Sequence, residues 1–246
     1  MTGKQQIILR TEQLKAFYIL EMHGRQKIVK AVNDVDITLY EDEIYGIAGE
    51  SGCGKTTLLK ALFNDFVPPL RLVGGKLYYR INWDEVDVTQ LSPEDTRKLR
   101  MKYISYIPQG SMSALNPVLK LKETYEDFIG SHHGGQSRQE IFELARKQIQ
   151  ALGLPKNVLD LYPHQLSGGM RQRVTIAIAL ACGPKLLFAD EPTTALDVTV
   201  QAQILNLLNQ QQRDRHMAMI LVTHDLGVVA GRTDEIAVMY AGQIVE

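Results

Sequence analysis

The hydrophobic positions fall into short runs whose length and spacing separate strands from helices. Residues 7–48 carry brief alternating segments: Ile7 to Leu9, Leu14 to Ile19, Ile28 to Val32 and Val35 to Leu39, with a turn-like patch at His23-Gly24-Arg25-Gln26. This pattern predicts antiparallel strands. The denser run from Glu43 to Ala48 predicts a buried strand. After a glycine-rich turn, Lys55 to Phe63 places Leu58, Leu59 and Leu62 on one helical face. Pro68-Pro69 breaks the chain after that helix. Gly74-Gly75 precedes a strand-like Lys76 to Ile81. Ser92-Pro93 starts a further helix. Tyr103 to Ile107 reads as a strand that ends at Pro108-Gln109-Gly110.

The pattern changes over residues 111–165. Loop-like Ser111 to Pro117 and a weakly structured Ser131 to Gly135 bracket one possible helix. Ser137 and Glu140 have the spacing of a capping box, opening a helix with Ile141, Ala145, Ile149 and Leu152 on one face and Gly153 at its end. Beyond Ser167 a helix runs to Ala181, closed by Gly183-Pro184. A buried strand, Lys185 to Ala189, leads to a helix from Val198 to about Asp214 and a strand from Met219 to Thr223. A strand-turn-strand, Ile236 to Tyr240 and Gln243 to Glu246, closes the chain. Apolar strands alternating with helices predict an α/β fold with a mainly parallel sheet.

Composition narrows the choice. The 246 residues suit one large α/β domain with an inserted lobe. Basic and acidic residues nearly balance, 27 against 28, and no basic tract argues for nucleic acid as a partner. The polar start, Met1 to Gln6, has no secretion signal. The longest apolar runs, such as Val174 to Cys182, are too short to span a bilayer, so a membrane role would pass through a partner. Cys53 and Cys182 lack metal spacing and are expected as reduced thiols. His132 and His133 have no carboxylate or cysteine partners in the pattern and are expected as solvated loop histidines.

The chemistry concentrates where strands end. Gly49-Glu50-Ser51-Gly52-Cys53-Gly54-Lys55-Thr56, followed by Thr57, has the G-x-x-x-x-G-K-T pattern between a strand and a helix. Such a loop turns backbone N–H groups toward phosphate oxygens at a helix N-terminus. Lys55 then neutralises β- and γ-phosphate charge, and Thr56 offers a hydroxyl to Mg²⁺. Asp190 and Glu191 end an apolar strand, where adjacent carboxylates are costly unless used. In a nucleotide site Asp190 holds Mg²⁺ and Glu191, on the other side, polarises an attacking water. Gln109 and His224 are delivered to strand ends in the same way, and His224 could donate to a γ-phosphate. Ser167-Gly168-Gly169 reads either as an ordinary capped helix start or as a second anion-binding one. Asp197 caps the helix that follows it. Tyr18, at a strand end, reads either as an adenine-stacking ring or as a core or edge aromatic.

Taken in order, these segments resemble the ATP-binding subunits of ABC transporters over essentially the whole chain. The resemblance rests on the loop at 49–56, Gln109, Leu166-Ser167-Gly168-Gly169-Met170, Leu186 to Glu191, Ala195-Leu196-Asp197 and His224. Met170 stands where the family's signature usually ends in Gln. Ser167 to Arg173, Tyr162-Pro163-His164-Gln165, Ser113 to Pro117 and Asp190 to Gln201 resemble the dipeptide/oligopeptide importer branch. Related branches carry nickel or glutathione, or serve in phosphonate breakdown.

The resemblance implies a P-loop NTPase (RecA-like) core, an N-terminal antiparallel β subdomain and an inserted helical lobe. Within a single domain, 1–246, it assigns 1–48 and 70–90 to the antiparallel part and 111–173 to the lobe. The nucleotide-binding core takes 43–63, 103–109 and 174–246. ATP and Mg²⁺ are the implied cofactors, with Thr56, Gln109 and Asp190 at the metal. Glu191, His224 and Gln109 are implied in catalysis. Two domains, identical or paralogous, are expected to close head to tail, so that the signature of one meets ATP held by the other. Transmembrane permease subunits would hold the chain at the cytoplasmic face of the membrane, and an extracytoplasmic binding protein would select cargo. A soluble ATPase acting on nucleic acid or chromosomes is disfavoured, because the chain has one phosphate loop, one signature and no heptad arms. Some members of the peptide branch carry a cysteine-rich tail with an iron–sulfur cluster; none is expected within these residues.

Overall fold

The alternating N-terminal segments join into one long strand, β1 (Ile7–Met22), which pairs antiparallel with β2 (Arg25–Val35). The computed structural model describes residues 6–22, 24–100, 102–110, 114–132 and 137–246. They form two compact units, Met1–Arg97 with His216–Glu246, and Lys98–Arg215.

In the first unit, β1 also pairs with β3 (Thr38–Tyr40) and β5 (Leu70–Ile81), and β6 (Asp84–Asp87) adds to β5. The polar residues between Leu9 and Leu14 suggest two segments, yet the strand runs through them. Register shifts absorb the irregularity, one of them between Glu12 and Lys15 opposite β5. Gln13 there has φ +47° and Gly75 across from it φ +81°. β5 therefore begins at Leu70, and the glycines expected before the strand lie inside it as part of a bulge. The sheet's inner face supplies Leu9, Leu14, Val32, Val35, Leu39 and Leu77 to the core, all fully buried.

The same unit contains β4 (Ile44–Ala48) between two parallel neighbours, β9 (Ala218–Thr223) and β10 (Glu235–Tyr240), with β11 (Gln243–Ile244) antiparallel on β10. All residues of β4 and β9 are buried. Strands covered on both faces read as continuous apolar runs, the signal present in the sequence. Helix α1 (Lys55–Leu62) follows β4 and buries Leu58, Leu59 and Leu62 as its spacing predicts. The Tyr79 hydroxyl on β5 donates to the Leu62 carbonyl, tying the antiparallel sheet to the end of α1. Short helix α2 (Pro93–Leu99) starts at Ser92, whose Oγ accepts from the Asp95 N–H at 3.1 Å.

The second unit pairs β7 (Ile104–Ile107) in parallel with β8 (Leu186–Asp190). Its helices are α3 (Leu121–His132), α4 (Arg138–Ala151), α5 (Gly168–Ala179) and α6 (Val198–Arg215). α3 runs through Ser131 and His132, which the sequence reading placed in a weakly structured patch; His133 to Gly135 lie outside the described residues. Leu121, Tyr125 and Ile129, four apart, form its buried stripe. The capping box on α4 is complete, with Ser137 Oγ accepting from the Glu140 N–H and the Glu140 carboxylate accepting from the Ser137 N–H. A polar residue interrupts the buried face of α4: Gln148 Nε2 donates to the Ala181 carbonyl at 3.0 Å, just beyond α5. Arg215 satisfies the neighbouring Leu180 carbonyl at 3.1 Å.

Gly75→Ala tests the bulge. Its new methyl would sit 2.3 Å from the Gln13 carbonyl oxygen, at a φ that disfavours alanine. The expected loss is more than about 1 kcal/mol of unfolding free energy, read from urea denaturation. An unchanged midpoint would show that the bulge relaxes freely.

Candidate active site

Apart from Tyr18, each candidate residue lies at or near the end of a strand or the start of a helix. In the first unit, β4 and β9 pair Ala48 with Thr223. The phosphate loop and His224 therefore leave adjacent parallel strands at the same edge. Lys55 is only 5% exposed, and its Nζ donates to the carbonyls of Gly49 at 2.7 Å and Glu50 at 2.8 Å. The loop thus wraps its own ammonium in backbone oxygen. Cys53 Sγ lies 3.8 Å from the same nitrogen.

The loop is braced from outside. Cys53 accepts from the Gly242 N–H at 2.8 Å, in the turn between β10 and β11. Gly54 has φ +116°, and a Cβ there would sit 2.2 Å from the Ala31 carbonyl of β2, so the loop packs against β2 as only glycine allows. No side chain caps α1. Its first N–H groups keep the donor character that suits an anion. Ser51 and Gly52 are exposed at the loop's rim, and Thr56 is half-buried. Tyr18 lies within β1 rather than at its end, paired with Val29 and Leu70. Its hydroxyl is 3.2 Å from Thr57 Oγ1 on α1, which brings the ring beside the phosphate-loop helix.

In the second unit, Ile107 pairs with Ala189, so Gln109 and the acidic pair emerge at one edge. Asp190 is fully buried and accepts from the Tyr106 hydroxyl at 2.9 Å. Glu191 adopts φ +45°, which turns the chain immediately after β8. Its Oε2 accepts from Gln109 Nε2 at 3.2 Å and from Thr194 Oγ1 at 2.9 Å. The two carboxylates thus take different partners despite being adjacent.

Two helix starts form a second group. Ser167 caps α5 by accepting from the Met170 N–H at 3.3 Å. Asp197 caps α6 by accepting from the Val200 N–H at 3.0 Å. A Cβ on Gly169 would lie 2.9 Å from Val200 Cγ1, so the two starts pack closely at Gly169. Arg173 locks this pair in place. It donates to the Leu152 carbonyl at the end of α4 at 2.9 Å and to Gln203 Oε1 on α6 at 3.1 Å. Sequence reasoning did not single out Tyr106, Thr194 or Arg173. A tyrosine three residues before Gln109, in an otherwise mostly aliphatic strand, was the available signal for the first.

Residues 32–194 match the family model described as ABC transporter. The chain belongs to the ABC transporter family. This ABC protein is 44% identical over 220 residues to the oligopeptide transport ATP-binding protein OppD of Salmonella typhimurium, covering 89% of this chain and 64% of that one. It is 38% identical to the dipeptide transport ATP-binding protein DppD of Caldanaerobacter subterraneus, covering 98% and 72%. It therefore spans about two thirds of the length of these relatives. Its fold matches the ATP-binding cassette MJ0796, solved as a dimer in a post-hydrolysis state bound to ADP and Pi. That match has a TM-score of 0.81, 28% identity and 97% coverage of both chains. The predicted α/β cassette, with its antiparallel N-terminal sheet and parallel strands, is thus the observed fold.

Cys53 and Cys182 are both free thiols. Burial pushes the Cys182 thiol up to about 11, which keeps it protonated and unreactive near neutrality.

Arg173→Ala should destabilise the protein by about 1–3 kcal/mol, because it leaves the Leu152 carbonyl and the Gln203 amide without their charged donor. Arg173→Lys should recover only part, since one ammonium lacks the guanidinium's fork. Equal unfolding midpoints for all three proteins in urea would contradict this.

Proposed function

We propose that this ABC protein binds ATP with Mg²⁺ and hydrolyses it to power import of di- or oligopeptides through transmembrane permease subunits. The observation that supports hydrolysis best is Glu191, turned out of β8 at positive φ and held by Gln109 and Thr194. Two donors on one oxygen fix the direction of the carboxylate, as a water-orienting group requires. The peptide cargo is supported by relatives named as oligopeptide and dipeptide transport proteins.

In this reading the amides of Gly49 to Thr57, with Lys55, hold the phosphates, Tyr18 stacks on the base, and His224 donates to the γ-phosphate. Thr56, Asp190 and Gln109 offer hard oxygen atoms, the donor set that Mg²⁺ prefers. The Gln109 amide gives its N–H to Glu191, so its oxygen is the atom suited to a cation. Among the described residues no group of His, Cys, Asp and Glu could hold a metal alone. Mg²⁺ bound through one carboxylate and substrate phosphates fits that scarcity. The metal supplies charge neutralisation on the phosphates when bound.

Ser167, Gly168 and Gly169, with Asp197 beside them, serve ATP held by a second ABC subunit, identical or paralogous. Residues 1–246 act as one ABC ATPase domain at the cytoplasmic face of the membrane, attached through the permease. An extracytoplasmic substrate-binding protein delivers cargo, and nucleic acid has no part. No helix among the described residues is long and apolar enough to cross a membrane.

Glu191→Gln preserves shape and hydrogen bonding while removing the charge. Nucleotide binding should survive and turnover should fall by about 10²–10⁴, measured as phosphate release by the purified chain. Near-normal turnover would remove Glu191 from this role.

A further inference from the structure

We infer that Tyr106 is a positioning residue for the metal carboxylate of Asp190, through the hydrogen bond from its hydroxyl to Oδ2. The inference rests on the proposed role of Asp190 at Mg²⁺. Asp190 is fully buried at the end of β8, and its Oδ2 accepts from the Tyr106 hydroxyl at 2.9 Å. Tyr106 projects from the neighbouring strand, where its Cα partner is Phe188, two residues before Asp190. The donor is therefore mounted on a hydrogen-bonded strand pair, not on a mobile loop.

The choice of donor matters. A buried carboxylate needs hydrogen bonds to remain ionised. A lysine or arginine would supply them but would also spend the carboxylate's charge, in competition with the cation. A phenol is neutral near pH 7. It fixes the carboxylate's rotation without itself adding a countercharge. Partners of this kind orient metal ligands, and their loss typically weakens metal binding by about 10–100-fold. The Tyr106 ring has a separate, structural role: it lines an apolar cavity of about 210 Å³ with Pro108, Leu115, Phe128 and Ile178. Tyr106→Phe keeps the ring and removes only the hydroxyl, so it separates the two roles.

The test measures binding of a fluorescent ATP analogue to the purified chain as free Mg²⁺ is raised from a chelated start. Wild type, Tyr106→Phe and Asp190→Asn are compared, with thermal midpoints recorded alongside. Tyr106→Phe should leave the midpoint and the metal-free affinity unchanged and raise the Mg²⁺ concentration at half-effect about 10-fold. Asp190→Asn should abolish the Mg²⁺ enhancement. If Asp190→Asn does so while Tyr106→Phe titrates like wild type, the positioning role is wrong and the metal role of Asp190 stands. If Asp190→Asn also titrates like wild type, the metal reading fails and takes this inference with it. If Tyr106→Phe lowers the thermal midpoint and metal-free binding together, the hydroxyl is merely structural and the inference is overturned.

Discussion

A buried ammonium must be answered by oxygen, and the answer given to Lys55 dictates the shape of the phosphate loop. At 5% exposure the cation has lost nearly all its water. The Gly49 and Glu50 carbonyls replace it, which requires the chain to curl back around the side chain between β4 and α1. With those carbonyls turned onto Lys55, the loop leads into α1, whose first turn carries no side-chain cap. The rest of the first unit holds that curl. β2 presses its Ala31 carbonyl against Gly54, the β10–β11 turn grips Cys53, and Tyr18 meets Thr57.

The second unit solves the opposite problem, that of a buried anion. Asp190 ends a strand in which every residue is buried, so its oxygens must be met by protein or cation. The fold gives it a neutral phenol and gives the adjacent Glu191 an amide and a hydroxyl. The donors in these bonds are neutral groups, which orient the carboxylates without themselves carrying a countercharge. The packed starts of α5 and α6, locked by Arg173, present a separate pair of capped helix ends.

Much of this was readable from residue order because the relevant signals are local. Continuous apolar runs marked β4, β8 and β9, and the capping box at Ser137 marked α4 to the residue. The glycine loop, Gln109, the acidic pair, Ser167 and Asp197 lie at or near the strand and helix ends where residue order places them. What escaped depends on contacts across strands and helices. The unity of β1 is enforced by three strand partners, against the break that its polar residues suggest. Gly74 and Gly75 look like a turn until β1 supplies the facing bulge. Gln148 looks like an error on an apolar face until the Ala181 carbonyl is seen to need a donor. Tyr106 and Thr194 acquire meaning only through the carboxylates they touch.

The central claim is that the phosphate loop and the signature helix start act on the same ATP from different chains. Lys55→Ala damages the loop and Ser167→Arg damages the signature; each chain alone should be nearly inactive. In a mixed dimer both lesions fall on one composite site and leave the other whole. Phosphate release measured on an equimolar mixture, with both variants shown to be folded, should therefore recover part of the wild-type rate. Mixed dimers that form with ATP and Mg²⁺ yet remain as inactive as either variant alone would contradict the account.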